Sequence, residues 1–461
     1  MPNDAYTATH PSNVLPDRFD EALFVNREEE IERVGEKVER LQNGEIIKIR
    51  TIRISGERGV GKTWLSLKLH HEFRKAKGVR SIYIDFDHTT ASSQSLSAEK
   101  LEFRVEAFDY QGLLELLKSI SKEIGALVPK ETSVQEQSGW VINKLIASNQ
   151  ALVLFLDGLF SVNPDFVTLL EDNLLVPLLS YPKTLIVMTG RGRAPLFINY
   201  YLNNAVEEIK LEPFERSELE RLFRQYPKIG TQGQTELDEI YRASGGYPRT
   251  ALLLAREGIA QGIEKAVDAM LGFIADEKQR SDIRQHLEAL VLLNRWDPEL
   301  PEEVEWGMRD SDSLLFLNAY RFFVQTRSDL LQQEFDQERL ETLYKAFQGW
   351  KEKKNKSYLR KVRQGLQELQ LLRWETIHRE KQEIRGYFID EAIRYPIAYA
   401  LWQNKRGLWQ WLHFMGWKLF DRWAEVDPAR YGPLANAHAK AIPLSRETSP
   451  SENAAPQKTI L

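Results

Sequence analysis

The stretch at residues 51–64, TIRISGERGVGKTW, places a glycine-rich turn between a β-prone run and a helical pattern. Four of its residues stand at the G-x-x-x-x-G-K-[ST] spacing, and Gly59 loosens the turn so that backbone N–H groups can converge on phosphate oxygens. A chance glycine turn is the alternative, but the β-rich run 46–54 and the apolar positions after the turn favour a phosphate-binding loop. The four residues of the spacing are Gly56, Gly61, Lys62 and Thr63.

The residue types at the end of this loop predict a site for a nucleotide with Mg²⁺. Lys62 can reach the β- and γ-phosphates, and the hydroxyl of Thr63 can bind the metal ion. The helix predicted from Thr63 to about Lys75 would direct its positive N-terminal end at the anion. Trp64 stands in the first turn of that helix and is included among the predicted nucleotide-binding residues.

A second strand is predicted at residues 151–157, ALVLFLD, because the run is apolar at every position before its final Asp157. An Asp at the carboxyl end of a strand beside the phosphate loop is placed to bind Mg²⁺ in a P-loop fold. Asp157 is therefore predicted to be the Walker B residue. The alternative is an Asp that ends its strand in a turn with Gly158.

The positions after Asp157 offer no carboxylate to act as a general base, since they hold Gly158, Leu159, Phe160 and Ser161. A general base must lie within hydrogen-bonding reach of the attacking water. The sequence therefore predicts slow hydrolysis, unless a residue such as Asp165 or a partner protein supplies the base.

An arginine follows a third apolar strand, predicted at 184–189 and continued by Gly190 and Arg191. A guanidinium at this edge of the sheet could touch a γ-phosphate. One arginine after a strand is unremarkable, but two strands with phosphate and metal chemistry at their ends make Arg191 a candidate sensor of the nucleotide.

Composition places these motifs in a globular protein of several domains. The chain has 461 residues, more than one hydrophobic core usually serves, so two to four domains are expected. The formal net charge of −5 gives no overall attraction to nucleic acid or anionic membrane, and the absence of cysteine excludes disulfides and thiolate chemistry. With neither a signal peptide nor a long apolar run in the sequence, we expect a cytoplasmic protein without a membrane contact.

The order of six motifs resembles the STAND ATPases, a signal-transducing class within the AAA+/ASCE group that includes the NB-ARC and NACHT proteins. The resemblance covers roughly residues 21–425 and implies binding of ATP or ADP with Mg²⁺. It further implies that Val25 and Arg27 lie by the adenine, that Arg191 senses the γ-phosphate, and that Tyr247 and Pro248 contact the nucleotide. The motifs are FVNREEEI (24–31), GERGVGKT (56–63), LFLDG (154–158), VMTGR (187–191), LEPFERSELERLF (211–223) and GGYP (245–248).

The predicted fold class is α/β, with an ASCE P-loop domain built on a parallel sheet and followed by a helical lid and a winged-helix domain. The winged helix is predicted from two helices, at 337–349 and 357–371, and a strand pair at 372–378 and 383–388. The predicted boundaries are a flexible arm at 1–20, the P-loop domain at 21–212, the lid at 213–277, the winged-helix and C-terminal helical region at 278–425, and a disordered tail at 426–461.

A basic cluster at the start of the second winged-helix helix supports a different function. Such a helix can meet DNA phosphates, although a run of charge is more often a solvated face and Glu352 and Glu368 dilute this one. The alternative function is thus a DNA-binding ATPase that regulates transcription or mobile elements. The cluster comprises Lys351, Lys353, Lys354, Lys356, Arg360, Lys361 and Arg363.

Two C-terminal features bear on how such a protein would act. The STAND resemblance implies a His that touches the ADP β-phosphate, but this sequence has Ile389 before Asp390, which weakens a His-dependent ADP lock. A tryptophan-rich helical segment at 397–425 is either buried against the winged helix or a surface for self-association or a partner. We expect a nucleotide-dependent switch that hydrolyses ATP slowly and changes its protein partner or its oligomeric state, with sensor and effector on other chains, as in bacterial conflict signalling.

Overall fold

The computed structural model describes residues 19, 21–86, 102–105, 107–125, 133–190, 194–226, 234–272, 274, 276–293, 310–369, 371–379, 382–440 and 442. The chain forms two compact units, Met1–Tyr226 and Pro227–Leu461. Apart from Phe19, the predicted arm at 1–20 lies outside the described residues. Within the described part of the chain, no helix has the length and apolar character needed to cross a membrane.

The first unit alternates strands and helices, as the sequence predicted. A short 3₁₀ turn at Glu21–Leu23 precedes its first helix, and a π-helical turn at Glu171–Leu175 separates α5 from α6. The elements are α1 (Glu28–Gln42), β1 (Thr51–Ser55), α2 (Lys62–Lys75), β2 (Val79–Asp85), β3 (Glu102–Arg104), α3 (Tyr110–Glu123), α4 (Val134–Ile146), β4 (Ala151–Asp157), α5 (Pro164–Leu170), α6 (Val176–Leu179), β5 (Thr184–Thr189), α7 (Tyr200–Asn203), β6 (Val206–Lys210) and α8 (Arg216–Gln225).

The strands form one six-stranded sheet in the order β3-β2-β4-β5-β1-β6, and every pair in it is parallel. Every residue of β4 and β5 is buried, as expected for central strands covered on both faces. β5 separates β1, which leads into the phosphate loop, from β4, which ends in Asp157. This is the ASCE P-loop architecture that the sequence predicted.

In the first unit the structure differs from two predictions and adds one strand that was not predicted. Of the β-prone run at 46–54, only the part from Thr51 belongs to a strand, β1 (Thr51–Ser55), and Ile46, which begins the run, is 87% exposed. Its pattern was β-prone, but the ladder partners on β5 and β6 begin opposite Thr51. β3 was not predicted, since a strand of three residues carries no detectable alternation. α8 belongs to the first unit, beyond the domain boundary predicted at 212.

The second unit is mainly helical and contains one antiparallel hairpin, β7-β8, after the helix pair α14 and α15. Helix, helix and hairpin in this order form the predicted winged helix. The elements are α9 (Gln234–Ser244), α10 (Pro248–Glu257), α11 (Ile259–Leu271), α12 (Glu277–Leu290), α13 (Asp310–Thr326), α14 (Gln337–Gly349), α15 (Lys356–Glu368), β7 (Leu372–Arg379), β8 (Gln382–Ile389), α16 (Glu391–Asn404), α17 (Arg406–Ala424) and α18 (Pro428–Lys440).

The C-terminal region corrects two predictions. The helical segment at 397–425 is divided between α16 and α17 at Lys405, whose backbone leaves the helical region. The tail predicted to be disordered from 426 contains α18, whose Leu434 and Ala435 bury against Phe420 of α17. Its prolines suggested disorder, but Pro428 occupies the first position of the helix, where no backbone N–H is needed.

The tryptophans of α17 pack inside the second unit. Trp411 is fully buried, its ring lies 5.9 Å from that of Phe322, and its indole N–H donates to the carbonyl of Ala319 at 3.0 Å. Trp409 is also buried, and Trp423 packs partly buried beside the contact between α17 and α18. For Trp409 and Trp411, the structure therefore favours burial over an exposed partner surface.

Candidate nucleotide-binding site

The phosphate loop joins β1 to α2 through three glycines with left-handed or otherwise positive backbone angles. Gly56, Gly59 and Gly61 have φ values of 142°, 82° and 105°. Such values are strained for residues with a side chain. At Gly56 a Cβ would also lie 2.8 Å from the carbonyl oxygen of Leu211. The loop therefore requires glycine both for its backbone angles and for its close approach to the chain after β6.

Lys62 is the first residue of α2, and its ammonium group turns back over the loop. Its Nζ donates to the carbonyl oxygens of Gly56 at 2.6 Å and Glu57 at 2.8 Å, and the side chain is buried. Gly61, at the N-cap position, has no side chain with which to cap the helix. A positive ammonium and the N–H groups of an uncapped first turn together form an anion-binding arrangement.

Asp157 ends β4 at the same edge of the sheet, since the carboxyl ends of parallel strands lie together. Its side chain is only 3% exposed. Oδ2 accepts a hydrogen bond from the hydroxyl of Tyr83 at 2.8 Å, and Oδ1 accepts one from the hydroxyl of Thr189. The Thr189 oxygen in turn accepts from the backbone N–H of Gly158 at 3.3 Å. The predicted Walker B carboxylate is thus held in one orientation by strands on both sides of it.

The donor set at this edge fits Mg²⁺ bound together with a nucleotide. Both hydroxyls on Asp157 are neutral, so they orient the carboxylate without cancelling its charge. Burying a carboxylate is costly unless a cation compensates it. Thr63 follows Lys62 in the first turn of α2 and supplies a hydroxyl oxygen, which is a ligand that Mg²⁺ accepts. Thr63 and Asp157 are therefore the residues that would hold the metal ion.

Three residues of this edge were not singled out by the sequence analysis: Tyr83 and Asp85 on β2, and Thr189 at the end of β5. Asp85 ends β2 in register with Asp157 and is 8% exposed. Ser81, Tyr83 and Asp85 alternate with apolar residues, so they share one face of the sheet. This alternation was the available signal, but it acquires meaning only once β2 is known to pair with β4.

Arg27 precedes α1 and is a buried connection between three segments. Its Nη2 donates to the carbonyl of Glu212 at 2.5 Å and to that of Val60, in the phosphate loop, at 3.3 Å. Nη1 lies 3.3 Å from a carboxylate oxygen of Glu30, and the guanidinium stands 4.9 Å from the ring centre of Phe214. Burial lowers the pKa of the Arg27 guanidinium, while the nearby glutamates oppose this shift.

These contacts show how the FVNREEEI motif reaches the phosphate loop. Val25, two residues before Arg27, is buried, and Arg27 has a left-handed backbone with φ of 74°. The N-cap position of α1 is Arg27, and the side-chain amide of Asn26 donates to the carboxylate of Glu218 in α8. The prediction that Val25 and Arg27 lie by the adenine stays a prediction.

Phe19 and Glu21, which precede α1, pack against the partly exposed side of α2. The ring of Phe19 meets that of Trp64 edge-on at 5.3 Å. Glu21 accepts from Lys75 at 2.8 Å and from Lys68 at 2.9 Å, and these two hydrogen bonds lower the pKa of the Glu21 carboxyl to about 2. Trp64 therefore packs against Phe19, and its predicted contact with nucleotide stays a prediction.

Three further residues were predicted to belong to the site: Arg191, Tyr247 and Pro248. Arg191 falls outside the described residues. Tyr247 and Pro248 belong to the second unit, where Tyr247 is fully buried and Pro248 is the first residue of α10. A Cβ on Gly245 would lie 2.2 Å from the Tyr395 ring, so the GGYP turn packs closely onto α16. A contact of Tyr247 or Pro248 with nucleotide stays a prediction.

The basic cluster of the winged helix consists of a structural residue, Arg363, the half-buried Lys354, and an exposed group. Arg363 pairs with Asp310, donates to the Tyr387 hydroxyl at 3.2 Å, and lies 4.0 Å from that ring's centre. Asp390 caps α16 by accepting from the N–H of Ala392 at 3.0 Å. Both residues thus stabilise the domain itself. The exposed basic residues are Lys351, Lys353, Lys356, Arg360 and Lys361.

A scan against models of protein families and a search of curated proteins find no match. Among solved structures, Cdc6p from Pyrobaculum aerophilum is similar at 15% identity with a TM-score of 0.40, over 86% of this chain and 99% of that one. The Orc1 protein of Aeropyrum pernix, in complex with DNA, is similar at 14% identity and a TM-score of 0.34, over 84% and 96% of the two chains. A RuvB variant from Thermotoga maritima is similar at 14% identity and a TM-score of 0.31, over 82% and 96%. Likenesses of this strength carry no argument about activity or partners.

Proposed function

We propose that this protein binds ATP and ADP with Mg²⁺ and acts as a nucleotide-dependent switch that hydrolyses ATP slowly. The observation that carries the proposal is that the phosphate loop and Asp157 lie at the same edge of the sheet, with Lys62 at the start of α2. Lys62 and the uncapped turn would bind phosphate oxygens, while Thr63 and Asp157 would hold the metal ion. The bound Mg²⁺ would neutralise phosphate charge.

A switch needs contacts that differ between the two nucleotides. The Thr189 hydroxyl donates to Asp157 and accepts from the N–H of Gly158, so a change at the metal would reach the end of β5 through this side chain. β5 leads into the chain that carries Arg191, the proposed sensor of the γ-phosphate. A γ-phosphate would thus act on this strand end in the ATP state and be missing in the ADP state. These features support the STAND-like role, with a protein partner or an oligomer as the output.

The proposal is tested by titrating the protein with Mg·ATP and Mg·ADP in a calorimeter and then comparing the two complexes by light scattering and small-angle X-ray scattering. We expect both nucleotides to bind and the radius of gyration or the mass to differ between the complexes. Binding without any difference, both with and without proteins that co-purify from the native host, would support a static nucleotide-stabilised scaffold instead. Failure of both nucleotides to bind would refute the site.

A second candidate function is DNA binding through the exposed basic residues at the start of α15. Lys356, Arg360 and Lys361 are exposed on one helix, which is the arrangement that meets phosphates in winged-helix proteins. The test is the salt dependence of duplex DNA binding, compared between the wild type and the Arg360→Glu, Lys361→Glu double variant. A steep loss of affinity with salt that flattens in the variant would favour this function. Arg363 is unsuitable for the test because it anchors Asp310 and Tyr387.

A further inference from the structure

Asp85 is a second buried carboxylate at the edge of the sheet that carries the phosphate loop. It is the last residue of β2, and it pairs in register with Asp157, the last residue of β4. The exposed fraction of Asp85 is 8% and that of Asp157 is 3%. Paired residues on neighbouring strands lie about 4.8 Å apart at their Cα atoms. Two carboxylates therefore stand side by side where the sequence analysis identified one.

Both side chains point to the face of the sheet on which α2 packs. Residues in register on paired strands share a face, as do residues two apart on one strand. Tyr83, two residues before Asp85, reaches Asp157 with its hydroxyl at 2.8 Å. The ring of His70, on α2, lies 5.7 Å from that of Tyr83, and its Nδ1 is 2.8 Å from the Ser81 hydroxyl. Asp85 thus lies on the same face as the helix that begins with Lys62.

The backbone holds Asp85 from both sides. Its carbonyl accepts from the N–H of Val105 at 3.0 Å, and the next residue, Phe86, donates to the carbonyl of Asp157 at 2.8 Å. Asp85 therefore lies between β3 and β4 rather than on a free loop. A catalytic group held in this way needs little reorganisation before reaction.

We propose that Asp85 is the general base of ATP hydrolysis in this protein, supplied by the strand beside Asp157 rather than by the residues that follow Asp157. This inference rests on the proposed function. The oxygen of a water molecule forms a bond to the γ-phosphorus while the bond from that phosphorus to the β,γ-bridging oxygen breaks. The electron pair of the broken bond stays on the β-phosphate of ADP, and the proton of the water passes to the carboxylate of Asp85.

The arrangement assigns different tasks to the two carboxylates. Asp157 accepts hydrogen bonds from Tyr83 and Thr189, which fix its oxygens for a role at the metal. Asp85 lies one strand beyond Asp157, on the side away from β1 and the phosphate loop, so the water on which it would act is one bound beside Asp157. Asp165, the other carboxylate considered from the sequence, is exposed in the first turn of α5. Its exposure to bulk water makes it a poorer candidate.

The experiment compares Asp85→Asn, Asp157→Asn and Asp165→Asn with the wild type in single-turnover hydrolysis of ATP by excess protein. We expect Asp85→Asn to lower the rate by about 100-fold or more, which is the usual contribution of a general base. Asp165→Asn should stay within about threefold of the wild type. A second readout is the affinity for Mn²⁺ with ADP, measured by electron paramagnetic resonance. Asp85→Asn should retain that affinity, whereas Asp157→Asn should lose it.

Other outcomes overturn the inference in distinguishable ways. A normal rate in Asp85→Asn, or a wild type that binds ATP and never hydrolyses it, removes Asp85 as the base and leaves the switch intact. Loss of Mn²⁺ affinity in Asp85→Asn makes it a metal ligand instead. A wild type that binds no nucleotide refutes the proposed function itself. If Asp85→Asn does not fold, Asp85→Glu decides, because it keeps the carboxylate and should retain more activity than Asp85→Ser.

Discussion

The hydroxyl of Thr189 donates a hydrogen bond to the carboxylate of Asp157 across the boundary between β5 and β4, and it accepts one from the N–H of Gly158. One side chain thereby fixes both the proposed metal ligand and the turn that follows it. Thr189 is also the last residue of β5, and it stands two residues before Arg191 in the sequence.

Replacing Thr189 by Val should disturb this arrangement without changing the volume of the side chain. We expect a stability loss of about 1–3 kcal/mol, since a buried oxygen of Asp157 loses its donor. The affinity for Mn²⁺ with ADP should also fall, because the carboxylate is no longer held. Urea unfolding and metal titration measure the two effects, and Thr189→Ser is the control that retains the hydroxyl. Equal metal affinity in the Val and Ser variants would contradict the positioning role.

Lys62→Ala should abolish binding of Mg·ATP and Mg·ADP, because it removes the ammonium group that lies over the loop against the carbonyls of Gly56 and Glu57. Calorimetric titration measures the affinity directly. The matched control is Lys183→Ala, which removes a half-buried lysine just before β5, at the opposite edge of the sheet. An unchanged affinity in Lys62→Ala, or an equal loss in both variants, would show that the phosphates bind elsewhere.

Arg27→Ala should destabilise the first unit, since the carbonyls of Glu212 and Val60 both lose a buried donor. Each buried group left without its partner costs roughly 1–3 kcal/mol. Arg27→Lys should recover only part of the loss, because an ammonium group cannot reproduce the planar contacts of a guanidinium. Denaturant unfolding of both variants, with and without ADP, measures the two losses of stability. An Ala variant as stable as the wild type would show that these hydrogen bonds contribute nothing net.

The pairing of Glu21 with Lys75 and Lys68 predicts that the free energy of unfolding decreases slightly at acid pH. The pKa of Glu21 in the folded protein, about 2, lies below its ordinary value of 4.5. The pairing therefore stabilises the fold above about pH 4.5, and this stabilisation is lost as the pH falls toward 2. Because the pair is solvent-exposed, its contribution at neutral pH should be about 1 kcal/mol or less. Glu21→Gln should therefore lose stability at pH 7 and match the wild type near pH 2. A difference that persists at pH 2 would indicate a packing effect instead.

α18 should depend on its apolar contact with α17 for its structure. Leu434→Ala empties a site that is 1% exposed, so we expect a loss of about 2–5 kcal/mol and faster hydrogen exchange throughout Pro428–Lys440. Val426→Ala is the matched control, because Val426 is 85% exposed and lies just before the helix. Equal exchange in the two variants would mean that α18 is stabilised by something other than this contact.

The sequence predicted the elements that carry a strong local signal. β4 and β5 are confirmed from end to end because both are unbroken apolar runs. The glycine-rich turn between β1 and α2 is also confirmed, because its glycines and Lys62 have a fixed spacing, while phosphate binding by this turn stays a prediction. Asp85 was not identified, since its meaning comes from the register with Asp157, which is a long-range pairing. α18 was wrongly predicted to be disordered because two prolines outweighed the apolar spacing that buries Leu434.

The position of β5 between β1 and β4 has a consequence for protein engineering. Strands β1 and β4 exchange no ladder hydrogen bonds, so the phosphate loop and Asp157 are separated by two strand spacings, roughly 10 Å. That separation is set by a strand containing neither motif. A site transplanted into another α/β scaffold would fail if only the glycine loop and the Asp were copied. The portable unit is three adjacent strands, with a hydroxyl residue ending the middle one.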